Sequence, residues 1–273
     1  MSLTQESFDE PREAALPGRP PRFVERVCES LWLPVNLLQA VLVTLWTGGG
    51  IPVALAVCAV LRRRDPGLFL ARRVWAPVLL LFGPVRLRVE GRERLDPSRA
   101  YFFAANHQSW VDVPALFAAL PVPVLFLAKR ELARIPLLGR FMEAMGMVYV
   151  DRTDRRESVR TVSQAAGRLQ EGWSILSFPE GTRSRDGGIQ RFKTATFAAA
   201  LEAGVPVVPV ALEGPARILP RGGFRARPGV IRVKLGEPIP TAGLTRDDRA
   251  EVARQAQAAV EGLLVGMRRP PRG

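Results

Sequence analysis

From Leu31 to Leu61 the chain carries no charged side chain. That run is longer than the roughly 20 residues a bilayer span needs, so it must enter lipid or find cover inside the fold. Pro34, Gly48-Gly49-Gly50 and Pro52 interrupt it. Proline removes a helical N–H and glycine weakens a helix, so the run divides into two apolar segments, Leu31–Thr47 and Ile51–Leu61. Arg22 and Arg26 precede them, and Arg62-Arg63-Arg64 and Arg72-Arg73 follow. Basic flanks resist translocation, so both ends prefer the cytoplasm. A helical hairpin over residues 23–73, dipping into the cytoplasmic leaflet of the cell membrane, meets both conditions. The competing readings are a single tilted transmembrane helix and a soluble core helix pair. Cys28 and Cys58 both lie in this segment and are expected to be buried or lipid-facing. Two such cysteines give no disulfide framework, and with one histidine they give no metal site.

Residues 1–22 are polar and proline-rich and read as a disordered tail. Glu6, Asp9 and Glu10 stand where a signal peptide would be basic. Residues 268–273 read as a frayed tail. Between the hairpin and that tail, residues 74–267 alternate strand-like and helix-like stretches. Pro84–Val89, Tyr101–Ala105, Val122–Leu127, Met147–Val150, Ser174–Phe178, Val207–Leu212 and Ile231–Leu235 are short and apolar. Val159, Val162, Ala166 and Leu169 fall at helical spacing, and Phe192–Ala203 and Asp247–Val265 also read as helices. Interleaving of this kind indicates an α/β domain with a mixed, mostly parallel sheet flanked by helices.

The formal charge is +13, and Lys129, Lys193 and Lys234 are the only lysines. Such a surface attracts anionic head groups and phosphorylated molecules. Nucleic acid is not expected as a partner, because no recognition motif or basic tract is present. A P-loop and a Gly-x-Ser-x-Gly elbow are also missing.

His107 is the only histidine. A neutral base working near pH 7 can hardly be another group, since an unperturbed imidazole titrates at about 6.5. Asp112 follows five residues later. If His107 sits in the loop after the Tyr101–Ala105 strand and Asp112 in the first turn of a helix capped by Ser109, the carboxylate can fold back onto the ring. It would fix the tautomer and stabilise the imidazolium. The plain alternative is a buried structural histidine at a strand end.

A second cluster, Phe178-Pro179-Glu180-Gly181-Thr182-Arg183-Ser184, follows another apolar strand. Arg183 can hold a phosphate through two parallel hydrogen bonds, and Gly181 lets backbone approach a ligand. The plain alternative is a turn with a surface salt bridge between Glu180 and Arg183.

Together these strings resemble the signature blocks of the glycerolipid acyltransferases, especially the 1-acyl-sn-glycerol-3-phosphate acyltransferases. Asn106, His107, Ser109 and Asp112 match an Asn-His-x-Ser-x-x-Asp block, and Phe178–Ser184 match the Phe-Pro-Glu-Gly-Thr-Arg-Ser block throughout. Gly146–Arg152 and Val205–Val210 match two further blocks in the right order. Phe192-Lys193-Thr194 resembles a fifth stretch but lacks its glycine. The resemblance covers roughly Val74–Pro240 and implies a glycerol-3-phosphate acyltransferase-like fold.

It implies that His107, oriented by Asp112, deprotonates the sn-2 hydroxyl of lysophosphatidate, which attacks an acyl thioester of coenzyme A or acyl carrier protein. Glu180, Gly181, Thr182 and Arg183 would bind the glycerol phosphate, with Arg152 as a second phosphate ligand. Asn106, Ser109 and Lys193 are further candidates. No cofactor or metal is implied; membrane lipids and the acyl carrier are the partners. The same chemistry could serve a lyso-ornithine lipid or another lysophospholipid. A reading from another class is a membrane-bound lipid-binding protein with a vestigial site, against which the intact His107/Asp112 pair speaks.

Overall fold

A computed structural model describes residues 22–150, 155–184, 188–223 and 225–268. Of the expected tails, residues 1–22 and 268–273, Arg22 and Arg268 belong to helices; the rest lie outside the described residues, as does Arg152. Seven strands form one sheet: β1 (Val85–Glu90), β2 (Phe102–Ala105), β3 (Val124–Lys129), β4 (Val148–Val150), β5 (Ser174–Ser177), β6 (Val207–Glu213) and β7 (Gly229–Leu235). Their order is β1-β7-β6-β2-β5-β3-β4. Every neighbouring pair is parallel except β6 with β7. All seven expected strands are present, shifted by at most two residues at either end, and the sheet is mixed and mostly parallel as anticipated.

The burial of each strand explains its composition. β2, β5 and β6 are buried at every position, as strands covered by helices on both faces must be. Phe102, Phe103, Ile175, Leu176 and Leu212 lose all contact with solvent, each stabilising the fold by about 1.5–3 kcal/mol. β1 instead alternates half-buried and exposed residues. Its outward Arg86 and Arg88 blunt the sheet edge.

The helices are α1 (Arg22–Leu61), α2 (Asp65–Leu70), α3 (Ala76–Phe82), α4 (Asp112–Ala119), α5 (Leu138–Met145), α6 (Arg155–Gln170), α7 (Ala198–Ala203), α8 (Pro215–Ile218) and α9 (Arg249–Arg268). A π-helical turn, Ala71–Trp75, joins α2 to α3. The expected start of a helix at Phe192 is wrong by three residues. Phe192 N–H is taken by Gln257 Oε1 and Lys193 N–H by Pro179 O, so helical structure begins only at Ala195.

The expected break at Gly48–Pro52 does not occur, and the two segments Leu31–Thr47 and Ile51–Leu61 are one helix. Packing on both sides of the weak point overrides propensity. Trp46 Nε1 donates to Trp75 O at 3.4 Å and Trp75 Nε1 to Thr47 Oγ1 at 3.1 Å. Just beyond, Ile51 and Ala54 are buried. The chain turns later, at Arg62–Arg64, and residues 65–82 run back along α1. Gln39 Nε2 reaches Phe82 O at 2.9 Å, and Trp46 meets Phe82 edge to face. A helical pair therefore exists, with its second arm in α2–α3. This pair packs on the sheet domain rather than standing apart: a Cβ on Gly67 would meet Met145 Sδ at 2.6 Å. The boundary expected at residue 73 falls inside the π-turn.

Candidate active site

The C-terminal ends of β2, β5 and β6 lie side by side at the centre of the sheet, and ligands of α/β sheets collect at such ends. Asn106 continues β2 with its side chain. Its Nδ2 donates to Leu212 O at 3.0 Å and its Oδ1 accepts from Leu212 N at 2.7 Å. This amide ladder fixes the backbone one residue before His107.

His107 Nδ1 lies 2.7 Å from Asp112 Oδ2. Asp112 is fully buried in the first turn of α4. The same Oδ2 accepts Gln108 N–H at 2.6 Å and Ser109 N–H at 2.9 Å. The two amide donors already fix that oxygen as an acceptor, which favours the tautomer with the proton on Nδ1 and the lone pair on Nε2. Among the described residues Nε2 has no protein partner. The ring is mostly covered, with 15 % of the side chain exposed. It stacks on Phe178 at 4.0 Å between centroids and 16° between planes. The cap position of α4 falls to Val111, which makes no side-chain bond, two residues after the anticipated Ser109. The Ser109 hydroxyl still accepts Val111 N–H at 3.3 Å and donates its own proton to Leu219 O at 2.7 Å.

The Phe178–Ser184 loop is joined to the His107 loop from both sides. Glu180 Oε1 accepts His107 N–H at 2.7 Å, and Ser184 N–H donates to His107 O at 2.8 Å. Glu180 Oε2 accepts Gln190 N–H at 2.9 Å. The surface salt bridge to Arg183 is therefore not formed: Glu180 is buried, 3 % exposed, and faces inward. Burial pushes its carboxyl above the usual range, partly offset by those two amide bonds and by His107. Gly181 has φ +76°, a conformation other residues resist, and its N–H closes the turn onto Phe178 O. Thr182 and Lys193 are exposed. Arg183 is half-exposed, its guanidinium 4.7 Å from the centre of the Trp110 ring.

The structure thus brings His107, Asp112, Asn106, Ser109, Glu180, Gly181 and Arg183 into one region. Phe178, Trp110, Gln190 and Arg221 belong to it as well and received no role from sequence. Trp110 and Phe178 lay inside the recognised strings; nothing in the sequence pointed to Arg221.

Residues 86–213 match the sequence profile of the family described as Acyltransferase. A lyso-ornithine lipid O-acyltransferase of Pseudomonas aeruginosa is 35 % identical over 80 % of this chain and 90 % of that one. The chain belongs to the acyltransferase family. Other members include a 1-acyl-sn-glycerol-3-phosphate acyltransferase of Chlamydomonas reinhardtii, 34 % identical over 70 % of this chain and 64 % of that protein. The human 1-acyl-sn-glycerol-3-phosphate acyltransferase alpha is 31 % identical over 72 % of this chain and 69 % of that one. The crystal structure of the 1-acyl-sn-glycerophosphate acyltransferase from Thermotoga maritima superposes on this acyltransferase with a TM-score of 0.73. It is 26 % identical and covers 89 % of this chain and 99 % of that chain.

Proposed function

We propose that this acyltransferase transfers a fatty acyl group from an acyl thioester to the sn-2 hydroxyl of lysophosphatidate, giving phosphatidate for phospholipid synthesis. The observation that carries the chemistry is the His107 ring, with Nδ1 against the buried Asp112 carboxylate and Nε2 without a partner among the described residues. Nε2 takes the hydroxyl proton as the oxygen attacks the thioester carbonyl. The tetrahedral intermediate then collapses with cleavage of the carbon–sulfur bond, and the imidazolium returns its proton to the departing thiolate. Asp112 stabilises the imidazolium in between. Coenzyme A and acyl carrier protein are the candidate carriers of the thioester.

Arg183 binds the acceptor phosphate; its guanidinium is at the surface of the site and is paired with no carboxylate among the described residues. Glu180 acts behind the site. Both its oxygens accept backbone N–H groups, so it shapes the His107 loop and does not face an anion. Asn106 and Ser109 serve in the same way, with their polar groups committed to Leu212 and Leu219. Gly181 supplies the turn.

The helical pair attaches the enzyme to the cytoplasmic leaflet. The stretch Trp32–Leu61 is long and apolar enough to enter a membrane. Leu38, Val41 and Leu45 leave 59 %, 53 % and 67 % of their surface uncovered. Bare apolar rows of this kind mark membrane or protein contact surfaces.

A second acceptor, a lyso-ornithine lipid, is favoured by the Pseudomonas aeruginosa relative. A panel of lysophosphatidate, lyso-ornithine lipid and lysophosphatidylcholine against one acyl-coenzyme A, with purified protein in detergent, tests the assignment. The proposal requires the highest kcat/KM with lysophosphatidate. A higher value with lyso-ornithine lipid would replace it with the second reading.

A further inference from the structure

Arg183 is held from two directions. Its guanidinium lies over the Trp110 ring at 4.7 Å, and its carbonyl oxygen accepts Arg221 Nη1 at 2.7 Å. Trp110 comes three residues after His107, and Arg183 three residues after Glu180. The stack is therefore another link between the loops already joined by Glu180 and Ser184. Trp110 is 53 % exposed, so its ring does little for the core. A large aromatic left in the open, with a cation on its face, costs solubility and returns order to one side chain.

That order matters because a free arginine side chain loses much of its rotamer freedom when a ligand fixes it. A guanidinium stacked on a ring keeps its N–H edges available, since the contact uses only the flat face. An acid partner would have occupied those edges. Arg221 extends the hold outward. It lies in the loop between α8 and β7. Leu219 O in that loop takes the Ser109 hydroxyl, and Ala226 O takes the Asn36 amide of α1 at 3.0 Å. Arg183 is thus linked through one loop to the helix proposed to lie in the membrane.

We infer that Trp110 and Arg221 are positioning residues for the acceptor subsite, Trp110 holding the Arg183 guanidinium ready for an anionic head group and Arg221 holding its backbone. The inference rests on Arg183 binding the acceptor phosphate.

The test measures KM for lysophosphatidate, KM for acyl-coenzyme A and kcat in Trp110→Ala, Trp110→Phe, Arg221→Met, Arg183→Ala and the Trp110→Ala/Arg183→Ala double variant. Cation–π contacts of this exposure predict a rise in acceptor KM of roughly 2- to 5-fold for Trp110→Ala. Donor KM should move less than about twofold, and kcat should fall less than the acceptor KM rises. Trp110→Phe, which keeps a ring face, should recover part of the loss. Arg221→Met should raise the same constant. In the Arg183→Ala background, Trp110→Ala should add nothing.

If Arg183→Ala raises acceptor KM and Trp110→Ala does not, the inference for Trp110 fails while the phosphate assignment stands. If Arg183→Ala leaves acceptor KM unchanged, the assignment beneath it fails. An equal rise in both backgrounds would mean that the ring touches the acceptor directly, overturning the positioning role. An unchanged constant in Arg221→Met removes Arg221.

Discussion

Asp112→Asn separates two roles that a carboxylate beside a histidine can have. In a Ser-His-Asp triad, asparagine selects the wrong imidazole tautomer, at a cost of about 10⁴ in rate. The surroundings of Asp112 forbid that outcome here. Gln108 N–H and Ser109 N–H both point at the oxygen that meets Nδ1. An amide NH₂ placed there would face two donors, so asparagine keeps its oxygen in position and turns its NH₂ to the Oδ1 side, which is buried and without a partner among the described residues; that unsatisfied NH₂ costs about 1–3 kcal/mol of stability. His107 then still donates from Nδ1 and keeps Nε2 as the base. What the variant loses is charge. An ion pair with charge centres about 4 Å apart is worth roughly 4 kcal/mol at an effective dielectric constant of 20. A neutral hydrogen bond of about 1 kcal/mol survives. The net loss of about 3 kcal/mol predicts a fall in kcat of roughly 10²- to 10³-fold. Trapping the released coenzyme A thiol gives the rate directly. A fall of 10⁴-fold or more would mean that the tautomer has flipped despite the two amides. A fall under about tenfold would mean that Asp112 does not stabilise the imidazolium.

Glu180 yields a prediction in pH. Burial raises its carboxyl pKa, so the native state holds a proton that the unfolded chain releases from about pH 4.5 upward. Relative to Glu180→Gln, wild-type stability should therefore fall as pH rises through that window and level off once the native carboxyl is ionised; urea melts across the range measure it, and a rising difference would contradict the burial argument. The membrane reading predicts that Leu38→Ser/Val41→Ser/Leu45→Ser lowers partition into anionic vesicles by at least about tenfold, since each exposed side chain that enters lipid contributes up to about 1.5–3 kcal/mol. Activity on detergent-dispersed substrate should change far less, and unchanged vesicle binding would place the contact surface elsewhere.

Much of this was legible in the sequence because the sheet leaves a strong local mark. β2, β5 and β6 are buried at every position and mostly apolar because both faces are covered, and each ends in a string dense in polar residues and turns. His107 and Asp112 were readable as a pair because only one imidazole exists. What escaped depends on partners far along the chain. Gly48–Pro52 looks like a break in isolation, but Trp75 and the domain hold both sides of it. Ser109 reads as a cap, and its hydroxyl does accept Val111 N–H, but the hydroxyl proton goes to Leu219, 110 residues away. The family resemblance makes Glu180 a ligand of the glycerol phosphate, and its place near Arg183 suggests a surface salt bridge. Only the fold shows that its oxygens turn inward, to His107 and Gln190. Arg221 carries no local signal, because its contact is with the backbone of Arg183.

The central claim is that Nε2 of His107 is the base for acyl transfer. The most direct measurement is phosphatidate formation from lysophosphatidate and acyl-coenzyme A by wild type and His107→Ala, each matched for thermal melting and vesicle binding. No other imidazole exists in the chain to substitute. Wild type should release one thiol for each phosphatidate formed, and His107→Ala, still folded and still membrane-bound, should fall to background. Turnover by the folded variant near the wild-type rate would contradict the mechanism.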